Sequence, residues 1–162
     1  MTHFILGRNP RLTLFRAAAL IVSAIVLFGF VLLPVRLHGI SMLPTYNDGE
    51  LNFANRAAYW WRAPARGDAV AIRMAGEHVV YVKRIVGLPR ERIAIIAGVV
   101  LVNDEPLVEP TVVYKAPWDV PAFTLGDGEY FVIGDNRAMA AQNHDFGRTT
   151  RARVVGRMLF DR

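Results

Sequence analysis

The chain of 162 residues contains no cysteine, which excludes disulfides, thiol nucleophiles and thiolate metal sites and leaves packing alone to hold the folded part together. Its four histidines, His3, His38, His78 and His144, have no metal-ligand spacing, so neither a metal nor a cofactor is expected. Lysine and arginine number 19 against 14 acidic residues, a net charge of +5. There is nevertheless no basic helix and no basic patch interleaved with aromatics, so nucleic acid is not an expected partner. Many of the cations sit close to an apolar run, which points to membrane lipid instead. No internal repeat and no low-complexity stretch occurs. Beyond residue 41 no apolar pattern of helical period lasts longer than two turns.

One long hydrophobic run is present. From Ala17 to Val35 there is no charge, and only Ser23, Gly29 and Pro34 interrupt the apolar residues. As a helix the run covers roughly 28 Å, close to the ~30 Å hydrocarbon thickness of a bilayer. A cleaved leader has a shorter core ending in small residues, whereas this run ends in Pro34-Val35-Arg36, so it reads as a retained anchor. Arg8, Arg11 and Arg16 precede it, and Arg36 alone follows closely. The positive-inside bias therefore makes residues 1–16 a cytoplasmic segment, 17–35 a single transmembrane helix and 36–162 an exported domain on the outer face. The roughly 120 residues beyond the anchor suffice for one core.

That domain reads as compact antiparallel β. Strand-like runs separated by Gly, Pro, Asn and Asp cover Leu51 to Ala54, Ala69 to Arg73, His78 to Val86, Ile93 to Ile96, Val99 to Val102, Tyr130 to Ile133 and Val154 to Phe160. Ala97-Gly98 has the composition of a tight hairpin turn, and Asn103-Asp104 begins another. Glu109 to Thr124, with three prolines, reads as a long loop. Arg56 to Ala65 is a short helix or an aromatic loop, whose Tyr59, Trp60 and Trp61 suit a lipid interface and ordinary core packing equally.

The run His78 to Val86 is apolar on both faces apart from Lys83 and Arg84. Alternation puts Lys83 with Val79, Tyr81 and Ile85, and Arg84 with Val80, Val82 and Val86, so at least one cation lies among apolar neighbours. Burial disfavours an ammonium, and a lysine acting as a base must fall from its usual pKa of about 10.4 toward neutrality. Arginine stays charged, so a buried Arg84 requires a carboxylate. From alternation alone, either cation is as readily a solvated edge charge.

Four blocks follow one another: Gly39-Ile40-Ser41-Met42-Leu43-Pro44-Thr45, Arg66-Gly67-Asp68, Tyr81-Val82-Lys83-Arg84-Ile85-Val86-Gly87-Leu88-Pro89 and Gly134-Asp135-Asn136-Arg137. Together, behind a single anchor, they resemble the blocks of type I signal peptidases, membrane-bound Ser/Lys endopeptidases that remove signal peptides from exported proteins. The resemblance implies an all-β catalytic domain and no cofactor, with signal peptides of exported pre-proteins as partners. It makes Ser41 the nucleophile and Lys83 the general base of an acyl-enzyme mechanism, with the Ser41 N–H as one oxyanion donor. Gly39 stands where some members carry a serine that adds a second donor, leaving that role to backbone or water. Met42, Tyr81 and Val82 would line shallow pockets for Ala-like residues at the first and third positions before the cut. Asp135 resembles the partner of Arg84, with Asn136 and Arg137 in support.

The chain departs from the pattern after Arg137. Ala140 stands where a serine normally orients the lysine amine, and Gln142, Asn143 and His144 replace Asp-Ser-Arg. Either Asn143 or Gln142 supplies the missing hydrogen bond, or the protein is a slower peptidase dedicated to one substrate, such as a pilin-like or conjugation protein. A non-catalytic, membrane-tethered peptide-binding module is the reading from another class, opposed by the retained serine and lysine. His144-Asp145 with Ser41 spells a Ser/His/Asp set, but adjacent residues rarely orient each other. His144→Ala is accordingly expected to retain cleavage of a pre-protein. Loss of cleavage with the fold intact would restore the histidine to the mechanism.

Overall fold

The computed structural model describes residues 9–73, 80–113, 115–140, 142 and 146–160. Helix α1, Pro10–Val26, starts where Asn9 Oδ1 accepts the Leu12 N–H at 3.4 Å and Pro10 fits the first turn. It runs into a π turn, Leu27–Val31. Together they form an apolar helix of 22 residues with no buried part, long enough to cross a membrane. The helical segment thus begins before the charge-free run and ends inside it. Leu32 already has extended backbone, and Leu32–Arg36 is strand β1. The reason is local: Pro34 has no N–H for a helix, but it fits an edge strand that pairs on one side only. Here it lies opposite Phe53 of β2, Leu51–Asn55.

The remaining strands are β3 Ala69–Arg73, β4 Val80–Gly87, β5 Arg92–Ile96, β6 Val99–Val102, β7 Glu105–Pro106, β8 Val120–Thr124, β9 Glu129–Ile133, β10 Gly147–Thr150 and β11 Val154–Met158. They form two antiparallel sheets, ordered β1-β2-β11-β3-β4-β9-β10 and β7-β6-β5-β8. The mainly β reading of the sequence holds, with every expected run containing a strand, although the last ends at Met158 rather than Phe160. Four short strands, β1, β7, β8 and β10, go beyond it. Of these, β8 falls in the stretch read as loop, because Pro121 and the absence of alternation hide an edge strand that pairs only with β5. The β5–β6 hairpin turns at Ala97 and Gly98, both with positive φ (48° and 78°), as its composition indicates.

Strand β4 organises the core. Val82 packs with Val35, Met42 and Tyr46; Ile85 with Tyr59, Val70 and Ile72; Val86 with Ile93, Phe131 and Ile133. A strand shared by three apolar clusters is buried on both faces, which is why its sequence lacks a polar alternate. The segment after β2 splits its aromatics. A 3-10 turn, Arg56–Tyr59, buries Tyr59, while Trp60 and Trp61 are exposed. The Tyr59 hydroxyl donates to Asp68 Oδ2 at 2.9 Å. Burial, with the Asp68 carboxylate adding to it, raises the Tyr59 pKa far above the tyrosine range.

Strand β11 crosses β2 closely. A Cβ built at Gly156 comes within 2.6 Å of the Asn55 carbonyl oxygen and 3.0 Å of the Arg56 amide, both backbone atoms that cannot swing aside. Gly156→Ala is expected to destabilise the fold by about 1–3 kcal/mol through this overlap. Thermal unfolding in detergent micelles measures it, and an unchanged midpoint would contradict the close crossing.

Candidate active site

Ser41 lies in the turn between β1 and β2, and Lys83 lies on β4 opposite Val70 of β3. The Lys83 Nζ stands 3.0 Å from Ser41 Oγ, with Lys83 3% exposed. Its long side chain reaches the serine from a strand buried in the core. Arg84, one residue on, points to the opposite face, as alternation requires.

Arg84 meets its carboxylate there. Its Nε donates to Asp135 Oδ1 at 2.8 Å and its Nη2 to Oδ2 at 2.7 Å, a bidentate pair that is almost fully buried. The Nη1 donates to the Gly67 carbonyl at 2.7 Å. Thr45, four residues beyond the serine, donates its hydroxyl to Asp135 Oδ2 at 2.5 Å. Asn136 closes the arrangement. Its N–H donates to the Ser41 carbonyl and its Nδ2 to the Ile40 carbonyl, each at 3.0 Å. Arg137 is 1% exposed, donates through Nε to Gly134 O at 2.7 Å and forms an ion pair with Glu109. The serine-bearing turn, β4 and the Gly134 to Arg137 turn are thereby one hydrogen-bonded unit.

A cleft of about 510 Å³ opens beside Ser41. Met42, Tyr81 and Val82 line it, and so do Leu33, Val35 and Leu37. Those last residues escaped sequence reading because β1 continues an apolar run that looks like membrane helix throughout. Only Pro34 signalled the change. Gly39 also borders the cleft, with φ +94°, but its N–H donates to Asp48 Oδ1 at 2.8 Å and is not free to meet an oxyanion. Thr45, Asp48 and Glu109 were not singled out in the sequence; a buried hydroxyl and two carboxylates facing fixed donors carry no periodic signal. Ala140 and Gln142 are exposed, and Asn143 and His144 lie outside the described residues. Among the described residues no cluster of His, Asp and Glu is arranged to hold a metal.

An antiparallel β body behind one apolar helix, with a buried lysine against a serine in a cleft, is the architecture of a membrane-associated serine hydrolase. The family model for signal peptidase, peptidase S26, matches residues 11–161. The chain belongs to this family of signal-peptide-removing serine endopeptidases. It is 30% identical over 167 residues to signal peptidase I of Bacillus licheniformis, covering 94% of this chain and 90% of that protein. It is 31% identical over 151 residues to signal peptidase I of Bacillus amyloliquefaciens, covering 85% and 77%. A crystal structure of a signal peptidase I from Enterococcus faecalis shares the fold, with a TM-score of 0.50 at 24% identity, over 60% of this chain and 98% of that one.

Removing Asp135 leaves Arg84 charged and buried without its partner. Asp135→Ala is therefore expected to cost about 3–5 kcal/mol of stability, while Arg84→Met combined with Asp135→Leu recovers much of it. Thermal unfolding of the two variants in detergent tests this. Equal losses in the single and double variants would show that the ion pair is not what the fold requires there.

Proposed function

We propose that the chain is a membrane-anchored signal peptidase that cuts by a Ser41/Lys83 dyad through an acyl-enzyme. The 3.0 Å approach of Lys83 Nζ to Ser41 Oγ at the base of an apolar cleft carries this reading. Neutral Lys83 takes the Ser41 hydroxyl proton as Oγ bonds the scissile carbonyl carbon, giving a tetrahedral oxyanion that faces the Ser41 N–H. The ammonium then returns that proton to the departing amine as the peptide C–N bond breaks, leaving the signal peptide as an ester on Ser41. In the second half Lys83 takes a proton from water, the hydroxide displaces Oγ, and the proton returns to Ser41. Asn136, through the Ile40 and Ser41 carbonyls, holds the serine still for both steps.

The substrate class follows from the cleft. β1 pairs with β2 on one edge, and β4 is paired by β9 only from Arg84 onward, so Leu33 to Leu37 and Val80 to Val82 flank the cleft with unshared strand edges among the described residues. An extended segment adds between them through its backbone, and Met42, Tyr81 and Val82 leave room for small side chains. Helical Pro10–Val31, ~33 Å long, serves as the anchor, with Arg11 and Arg16 snorkelling to the cytoplasmic headgroups and the body from Leu32 exported.

Wild-type protein in liposomes is expected to cleave a pre-protein, Ser41→Ala to lose cleavage, and Lys83→Ala to lose on the order of 10²- to 10⁴-fold. Only neutral Lys83 accepts the proton, so kcat/KM rises with pH and then levels off. Persistent activity in Lys83→Ala, or a rate that falls as this group deprotonates, would sink the dyad.

A further inference from the structure

The Gly134 to Arg137 turn is gripped from two sides, and the dyad accounts for one of them. Toward the serine, Asp135 and Asn136 hold Arg84, Thr45 and the Ile40 and Ser41 carbonyls. Away from it, Arg137 engages the segment that links β7 to β8. Its two terminal nitrogens donate to the two carboxylate oxygens of Glu109, Nη1 to Oε2 at 3.2 Å and Nη2 to Oε1, while Nε donates to the Gly134 carbonyl. The side chains of Arg137 and Glu109 are only 1% and 5% exposed, so both charges are buried. The Arg137 carbonyl in turn accepts from the Ala116 N–H at 3.0 Å and from Trp118 Nε1 at 3.2 Å.

Packing alone does not account for that grip. A cavity of about 240 Å³ lies between residues 107–111 and the Arg84, Ile85 and Val86 stretch of β4, so packing leaves space beneath this part of the segment. The segment is tied to the second sheet instead. Leu107 donates its N–H to the Val100 carbonyl at 2.8 Å, and Leu107 and Trp118 pack against the cluster that contains Ile93, Ile95 and Val100. Glu109 therefore links the second sheet to the turn that holds the serine.

A buried ion pair contributes little net stability, since desolvating both ions offsets their attraction. What this fork supplies is direction. Two N–H···O contacts to one carboxylate, with Nε tied back to Gly134, fix the plane and angle of the guanidinium and with it the backbone of residue 137. The residue before it is Asn136, which holds the Ile40 and Ser41 carbonyls. A misplacement of about 1 Å at a reacting group costs on the order of 10²-fold in rate.

We infer that Glu109 is a positioning residue for the reaction, which acts through Arg137 and Asn136 to hold Ser41 in line with Lys83 and the scissile carbonyl. The inference rests on the Ser41/Lys83 reading above. Glu109 is not among the residues lining the cleft, so its role shows in turnover rather than in substrate binding.

Cleavage of a short peptide spanning a signal-peptide cut, by the full chain in detergent micelles, tests it, with the folding midpoint measured on the same samples. Glu109→Gln keeps the size of the side chain and removes its charge. Its kcat is expected to fall on the order of 10- to 100-fold, with KM unchanged within about twofold. Glu105→Gln, on exposed β7 of the same sheet, is expected to match the wild type. The double variant Glu109→Leu/Arg137→Met separates position from stability. Two apolar residues of similar volume should restore the folding midpoint that Glu109→Gln lowers, while kcat stays low because the fork is gone. A kcat that recovers together with the midpoint makes Glu109 a structural brace alone and overturns the inference, as does a wild-type kcat in Glu109→Gln or a raised KM at unchanged kcat. If Glu109→Gln does not fold, the double variant decides: a low kcat supports the inference and a wild-type kcat overturns it. A double variant that does not fold shows the pair to be a stability element and overturns it too. Cleavage that survives Ser41→Ala overturns the dyad and this inference with it, whereas cleavage lost in Ser41→Ala and undiminished in Glu109→Gln overturns this inference alone.

Discussion

The Arg84–Asp135 ion pair joins three segments that are distant in sequence, and the geometry of the site depends on it. Arg84 fixes β4 and hence the lysine one residue before it. Asp135 receives the Thr45 hydroxyl and so holds the turn that carries Ser41. The next residue, Asn136, binds the carbonyls of Ile40 and Ser41 from the other side. A buried pair of this kind is weak as a source of net stability, because desolvating both ions offsets their attraction. Its value is positional. Arg84 donates to Asp135 and to the Gly67 carbonyl, and Asp135 also accepts from Thr45, so a shift of either ion breaks contacts of a buried charge.

The same requirement explains what the sequence made legible. Adjacent Lys83 and Arg84 in an apolar strand demanded a carboxylate, and Asp135 meets that demand. The strands with clear boundaries, such as Ala69–Arg73 and Val99–Val102, have turn residues on both sides and apolar content set by the core. Edge strands were less visible. β1 merges with an apolar helix, β8 contains Pro121, and β7 has two residues, so none carries the alternation that marks a half-buried strand. Local period reports which face is buried, and an edge strand lining a cleft has no complete face to report.

No linker separates the apolar helix from the site. The π turn at Leu27–Val31 passes directly into β1, β1 borders the cleft, and the turn bearing Ser41 follows within five residues of its end. Helix and body also touch through Phe28 with Phe53 and through Arg56 with the Gly29 carbonyl. The position of the nucleophile relative to the apolar helix is thus set by a short strand together with these side-chain contacts.

Alternation along a strand makes the paired use of Lys83 and Arg84 possible. The two cations are adjacent in sequence but face opposite ways, and their chemistries differ as the two environments demand. The face toward Asp135 needs a permanent charge with a planar fork, because its partner is a fixed carboxylate; a lysine there would make one contact and would be free to lose its proton. In the proposed dyad the face toward Ser41 needs a group that can exist neutral; an arginine there would stay protonated and would bind the serine without ever accepting its proton. On that proposal, exchanging the two residues would retain net charge and overall composition while removing both roles. The order Lys-Arg, read with the faces that β4 presents, is therefore the physical content of this sequence block.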